Sequence, residues 1–248
     1  MKRAVIVMAL AALIATPAFA QYSVNIWLGI RETGSTAPIG DDGGTAGSLE
    51  WVDLDNQTLV LDGTWQRFVF DLDALPLTAF TGNGVLDGDA GVIEHIRIDS
   101  NAYGGAFKLW IDDLVNTVDA GFPPAPTDFV INDWESAAVG DESTFQEPGF
   151  SGSTAGQLKP SPNIAFTTDA EANTGLQSYQ VEYEWLDQAD NRWLRLTTFN
   201  GTFLPGTGSP TISFINNSVV SFWMKGIPEP STLALLGLGM VSVLRRRR

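Results

Sequence analysis

Two glutamates set two apart, Glu182 and Glu184 in V-E-Y-E-W, are the nearest thing in this chain to an acid–base pair. On a β-strand they share a face, with carboxyls roughly 7 Å apart, inside the range of an inverting glycoside hydrolase. Such a pair is equally what the solvated strand face of an acidic protein carries. The lone histidine, His95 in I-E-H-I-R, reads as a surface strand residue rather than a base. Residues 152–156, G-S-T-A-G, have the wrong register for a G-x-S-x-G nucleophile elbow. Asp87 and Asp89 supply two ligand positions of a calcium loop, but the third ligand and the distal glutamate are missing. That segment reads as a polar turn, as does the stretch starting Asp41-Asp42.

A different chemistry lies in the tryptophans. Trp27, Trp65, Trp110 and Trp193 alternate onto strand faces that also carry Arg31, Arg67, Lys108 and Arg195. Flat aromatic rings pack against sugar C–H groups, and planar polar side chains bond to hydroxyls. Trp27, Trp65, Trp110, Trp193, Arg31, Arg67 and Arg195 are therefore candidates for a carbohydrate-binding platform. The alternative is that the tryptophans close the margins of a sandwich while the basic residues relieve an acidic surface.

The elements that must position these residues are strands. Tyr22–Glu32 places Val24, Ile26, Leu28 and Ile30 on one face and Asn25, Trp27, Gly29 and Arg31 on the other. In Thr64–Leu72, Phe68, Phe70 and Leu72 face a core while Trp65, Arg67 and Val69 face away. Further strands are predicted at Leu49–Leu54, Gln57–Leu61, Val92–Asp99, Ala106–Leu114, Phe129–Trp134, Tyr179–Leu186, Trp193–Phe199, Thr211–Ile215 and Val219–Lys225. Gly34–Gly47, Val139–Pro162 and Asn200–Pro210 read as loops. The run 121–126, G-F-P-P-A-P, reads as a linker. Many short strands without alternating helices indicate an all-β, antiparallel sandwich.

Two apolar segments bracket this domain. At the N-terminus Lys2 and Arg3 precede an apolar Ala4–Ile14, and Ala18-Phe19-Ala20 has the small-x-small pattern of a signal-peptide cleavage site. Residues 1–20 are thus an expected signal peptide, with a mature N-terminus at Gln21. At the other end Pro228-Glu229-Pro230 leads into an uncharged run, Ser231–Leu244, that stops at Arg245, Arg246, Arg247 and Arg248. That run falls short of the ~20 residues of a stable spanning helix. Without these segments, residues 21–226 hold 8 basic and 28 acidic residues, a formal charge of −20. This excludes a nucleic-acid binder, which needs a positive surface. The absence of cysteine removes disulfides, thiolate catalysis and zinc–sulfur sites.

The order, spacing and position of residues 227–248 resemble the PEP-CTERM sorting signal of Gram-negative bacteria. Pro228–Pro230 match the motif, Ser231–Leu244 its helix and Arg245–Arg248 its basic tail. The resemblance implies recognition and cleavage near Pro228–Pro230 by an exosortase-type membrane enzyme. It also implies export through the inner membrane to the cell envelope, surface or extracellular matrix, with membrane contact only through the terminal segments.

The exported core has a second resemblance. Residues 63–72 (G-T-W-Q-R-F-V-F-D-L), 96–98 (I-R-I) and 107–114 (F-K-L-W-I-D-D-L) look like the closing half of a galactose-binding-like jelly roll, the fold of many carbohydrate-binding modules. Asp133-Trp134-Glu135, Phe145, Ser151–Thr154 and 193–196 (W-L-R-L) look like its opening half. The order is reversed, which implies one jelly-roll sandwich with circularly permuted halves: 21–118, the linker 121–126, and 127–226. The new termini would lie between adjacent strands Val219–Lys225 and Tyr22–Arg31. The rival arrangement is two small sandwiches joined at the linker. The resemblance also implies a structural calcium held by Glu135 and by Asp112 or Asp113, the other reading being solvated strand ends. The expected function is an exported, exosortase-sorted, non-enzymatic surface or matrix protein that binds extracellular polysaccharide. The alternatives are a purely structural component and a glycoside-acting enzyme.

Overall fold

The computed structural model describes residues 22–32, 49–53, 56–86, 88, 90–101, 105–118, 129–187, 192–199, 210–214 and 217–229. The expected signal helix, the apolar C-terminal run, the loop 34–47, Asp87, Asp89 and the linker 121–126 lie outside them. Among the described residues the chain forms two antiparallel sheets and one helical turn, α1 (Gly152–Ala155).

The first sheet holds β1 (Ser23–Glu32), β2 (Leu49–Val52), β3 (Thr58–Val60), β5 (Leu77–Ala79), β6 (Ala90–Asn101), β11 (Trp193–Thr197) and β12 (Thr211–Ser213). Its order is β11-β6-β1-β2-β5, with β3 also on β1 and β12 also on β6. The second holds β4 (Gln66–Asp71), β7 (Ala106–Thr117), β8 (Phe129–Asn132), β9 (Leu158–Thr168), β10 (Ser178–Trp185) and β13 (Val219–Pro228), in the order β4-β13-β7-β10-β9 with β8 on β7. Each sheet draws strands from both sides of residues 121–126. β7 pairs with β10 and β13, and β6 pairs with β11.

The period-2 pattern explains why these sheets stack. Val24, Ile26, Leu28 and Ile30 of β1 are fully buried in the shared core, as are Ile96 and Ile98 of β6 and Leu194 and Leu196 of β11. From the second sheet come Phe68 and Phe70, Phe107, Leu109 and Ile111, Val181 and Tyr183, and Phe222. Phe222 stacks on Phe68 and Phe70 at 5.8 and 5.7 Å, and Phe107 stacks on Tyr183 at 5.2 Å. Each such side chain, fully buried, contributes about 1.5–3 kcal/mol. Residues after β8 help fill the interior: Trp134 is fully buried and stacks on Tyr179 at 5.7 Å.

Two glutamines lace the sheets together where β3 and β4 face one another. Gln66 donates from Nε2 to Val60 O at 2.7 Å, and its Oε1 accepts from Val60 N–H at 2.9 Å. Gln57 does the same to Val69, at 2.8 and 3.3 Å. Each amide thus satisfies a strand residue's donor and acceptor that the ladder leaves open.

Three expectations need correction. β9 begins inside what reads as the loop Val139–Pro162 and runs through Pro160 and Pro162, which cannot donate to a ladder. Among the described residues β9 pairs only with β10, and an edge strand tolerates residues that cannot donate to the ladder. β5, which falls in a stretch with no strand signal, is three residues long. The strand of residues 219–225 does not lie beside β1: β13 runs between β4 and β7 in the opposite sheet. The ends of the fold meet instead at the β3–β4 turn, where Leu61 N–H donates to Tyr22 O at 2.8 Å and Gly63 N–H to Gly226 O at 3.0 Å.

Candidate functional site

The residues of β1, β2, β6 and β11 that point away from the core gather aromatic and guanidinium groups. The register sets Trp27 opposite Arg97 and Arg97 opposite Arg195; the neighbouring row sets Gly29 between Trp51 and His95. A Cβ on Gly29 would stand 2.7 Å from the Trp51 ring, so the glycine is what lets Trp51 lie across β1. A register shift beside Gly29 inserts Glu94 as an extra residue of β6. Consecutive residues Glu94 and His95 consequently both contact the outer face.

Five aromatic rings, those of Trp27, Trp51, Phe80, His95 and Trp193, gather there. Trp27 and Trp51 make an edge contact at 6.0 Å, and Trp51 lies 5.4 Å from Phe80 and 5.9 Å from His95. The Arg97 guanidinium sits 3.6 Å over Trp27 and 4.4 Å from Trp193, held flat by paired bonds to Asp99 at 2.6 and 2.7 Å. Arg195 lies 5.4 Å from Phe80 and 5.7 Å from Trp193 and donates to Ser151 Oγ at 2.7 Å. Trp27 and Trp51 are only 5% and 2% exposed, whereas Phe80 is 42% exposed and Trp193 is half-buried. Trp27 Nε1 and His95 Nδ1 are buried without a hydrogen-bond partner.

Electrostatics stiffen this face. Arg31 makes a paired bond to Glu94, whose carboxylate also lies 3.0 Å from His95 Nε2. Burial works against ionising Glu94, but Arg31 and His95 overcome it and hold the pKa down to about 2. Burial lowers the pKa of His95 from its usual value, with Glu94 only partly opposing. His95, read from sequence as a surface residue, is 3% exposed: the signal that it would be covered lies in the bulge and in Trp51, neither legible from alternation.

The seven platform candidates do not form one surface. Trp27, Trp193, Arg31 and Arg195 come together on the outer face of the first sheet. Trp110 lies on the second sheet, buried, donating to Gln180 Oε1 at 3.0 Å and lying 5.3 Å from Lys225 Nζ. Arg67 is also on the second sheet, opposite Trp223, with a bond to Ser221 Oγ at 3.2 Å. Trp65 is half-buried in the turn entering β4. Sequence reading missed Trp51, Phe80 and Arg97. Arg97 had a signal, a cation between core residues Ile96 and Ile98; Phe80, just after β5, had none.

Asp112, Asp113 and Glu135 surround a single loop, the β9–β10 connection, and they grip its donors. Asp112 Oδ2 accepts from Asn173 N–H at 2.7 Å and Thr174 N–H at 3.3 Å, and Asp113 accepts from Asn173 Nδ2 and Thr174 Oγ1 at 2.9 and 2.7 Å. Glu135 Oε1 accepts from Leu176 and Gln177 N–H at 2.7 and 2.8 Å. Among the described residues no three His, Asp or Glu side chains gather closely enough to hold a metal ion. Calcium needs free oxygen lone pairs, whereas this clasp points N–H and O–H groups at its carboxylates, so the arrangement does not fit the expected cation. Burial first, and then the Asp113 charge, push Asp112 up to about 7.

Glu182 and Glu184 are ion-paired, Glu182 with Lys108 at 3.1 Å and Glu184 with Lys159. Two hollows of about 300 Å³ are lined, one by Leu72, Leu77, Val85 and Phe214 and the other by Phe129, Ile131 and Thr211, away from both glutamates.

The last strand decides the address. β13 runs on through Pro228, and Glu229 N–H donates to Ala106 O at 2.8 Å, so the first residues of the P-E-P segment are part of the second sheet. Residues 226–248 match the PEP-CTERM protein-sorting motif. The motif implies an exported protein processed by an exosortase and delivered to the cell envelope or surface. Pro230 and Arg245–Arg248 complete the matched stretch outside the described residues. No curated protein and no solved structure matches the chain.

Proposed function

We propose that this PEP-CTERM β-sandwich binds extracellular polysaccharide through the outer face of its first sheet, without catalysing a reaction on it. The observation that carries the reading is the convergence of Trp27, Trp51, Phe80 and Trp193 with Arg97 and Arg195 on one face of an exported protein. Phe80 and Trp193 offer the accessible ring surface for sugar C–H groups, and Arg195 and Arg97 offer planar donors for hydroxyls. Retention of the exported protein on bacterial exopolysaccharide, and its loss in Trp193→Ala and Phe80→Ala, tests this directly.

A second reading has its own observation. Arg97 covers the face of Trp27, and the ring is 5% exposed, which favours a self-contained structural component of the surface or matrix. Retention unaffected by both substitutions would favour that role.

The finer fold assignment is part of the same proposal: a galactose-binding-like jelly roll with its halves in permuted order. Its support is that each sheet mixes strands from both halves and that Tyr22 and Gly226 meet at one turn. Permutation is tolerated where chain ends approach one another at the surface.

A further inference from the structure

The matched sorting motif begins at residue 226, inside β13. Ile227 and Pro228 stand in register with Lys108 and Phe107 of β7. On the other flank Gly63 N–H donates to Gly226 O at 3.0 Å. Gly226 is buried, and a Cβ there would stand 2.5 Å from Leu61 Cδ2 and 2.8 Å from Leu109 Cδ2, so its backbone is seated directly on the core. The acidic side chain of the motif is tied down as well. Lys108 Nζ lies 3.4 Å from Glu229 and 3.1 Å from Glu182, one ammonium shared between two carboxylates.

We propose that the folded sandwich withholds its own sorting motif, and that exosortase processing requires residues 226–229 to peel away from β7. The proposal rests on the sorting reading. An enzyme that processes a peptide segment engages its extended backbone, and this stretch has already committed part of that backbone to β7 along residues 226–228, to Ala106 at Glu229 and to Gly63 at Gly226. Opening breaks the Glu229 bond to Ala106, the Gly226 bond to Gly63 and the Lys108 bridge. Pro228 donates nothing to the ladder, which leaves this end of β13 the weakest part of the strand. Chain ends of this kind open locally far more readily than the whole fold. Lys108 therefore sets how often the motif is presented, and a finished sandwich is processed more slowly than a chain whose last strand has not docked.

Pulse-chase of the full-length precursor in an exosortase-bearing host reads the conversion half-time. Lys108→Glu replaces the shared ammonium with a third carboxylate. Its half-time is expected to shorten by about two- to fivefold, the factor that an ion pair of this exposure carries. A flexible insert of about eight Gly/Ser residues between Gly226 and Ile227 frees Ile227–Glu229 by a reach of about 15 Å and is expected to do the same. Ile98→Val, a core change in the opposite sheet, lowers overall stability without touching the motif and is expected to leave the half-time unchanged. Amide exchange at Glu229 in the purified precursor is expected to be slow in the wild type and faster in Lys108→Glu. Unchanged half-times in both motif variants, an Ile98→Val effect as large as that of Lys108→Glu, or an unprotected wild-type Glu229 amide each overturn the gate and leave sorting intact. A wild-type precursor that is never processed overturns the sorting reading itself.

Discussion

Neutralising Asp113 should make the protein more stable at neutral pH and leave it nearly unchanged at pH 4.5. Asp112 is buried beside Asp113, and burial together with that like charge raises its pKa from 3.8 to about 7. Between those values the folded state holds a proton that the unfolded state has released, so stability falls as pH rises through the window and stays low above it. Three units at about 1.4 kcal/mol each set a ceiling of about 4 kcal/mol. Asp113 is half-exposed, and solvent screening of the pair brings the working figure to about 2 kcal/mol. That is a fall in Tm of about 4–8 °C between pH 4.5 and 7.5. Asp113→Asn removes the charge while keeping a residue that tolerates the local φ of 50°. It should recover about 1 kcal/mol at pH 7.5, because the burial contribution remains. Thermal unfolding at both pH values, with Asp73→Asn on an exposed turn as the control for net charge, measures it. A gain in Asp113→Asn that is equal at both pH values, or no larger than that of the control, would refute the reasoning. Calcium and chelator should leave the profile unchanged; a calcium-dependent rise in Tm would return Asp112, Asp113 and Glu135 to a cation.

Gln66→Ala should cost about 1–3 kcal/mol, because it strips the Val60 N–H and C=O of their partner amide; equilibrium urea unfolding checks this. Acid should act through Glu94, whose lowered pKa means that its stabilisation is complete above about 4.5 and lost as pH falls toward about 2. Arg31→Met should flatten that acid limb in a Tm profile. Arg97→Ala uncovers Trp27 and Trp193 and should cost about 1–2 kcal/mol of cation–π contact, with a red shift in tryptophan fluorescence as water reaches the rings.

Alternation made the core faces of β1 and β4 legible, since Val24 to Ile30 and Phe68 to Leu72 leave only one consistent way to turn each strand inward. The same logic could not say which sheet a strand joins. Trp110 and Trp27 both face away from the core, yet the pairings that place them on opposite sides, β7 with β13 and β6 with β11, span about a hundred residues. Pro160 and Pro162 hid β9 because an edge position is a property of the finished sheet. The carboxylates Asp112, Asp113 and Glu135 gather at one loop, but residue type alone does not reveal whether a cation or backbone N–H groups fill the space between them. The sorting segment was legible because its signal is local in sequence; its seat in the second sheet depends on β7, more than a hundred residues earlier.

The polysaccharide face is tested most directly by co-sedimentation of the exported protein with exopolysaccharide, comparing wild type with Trp193→Ala, Phe80→Ala and, on the opposite sheet, Trp110→Ala. The account predicts that the wild type and Trp110→Ala sediment with the polymer while Trp193→Ala and Phe80→Ala remain in solution. Equal sedimentation of all four proteins, or none by the wild type, would contradict it.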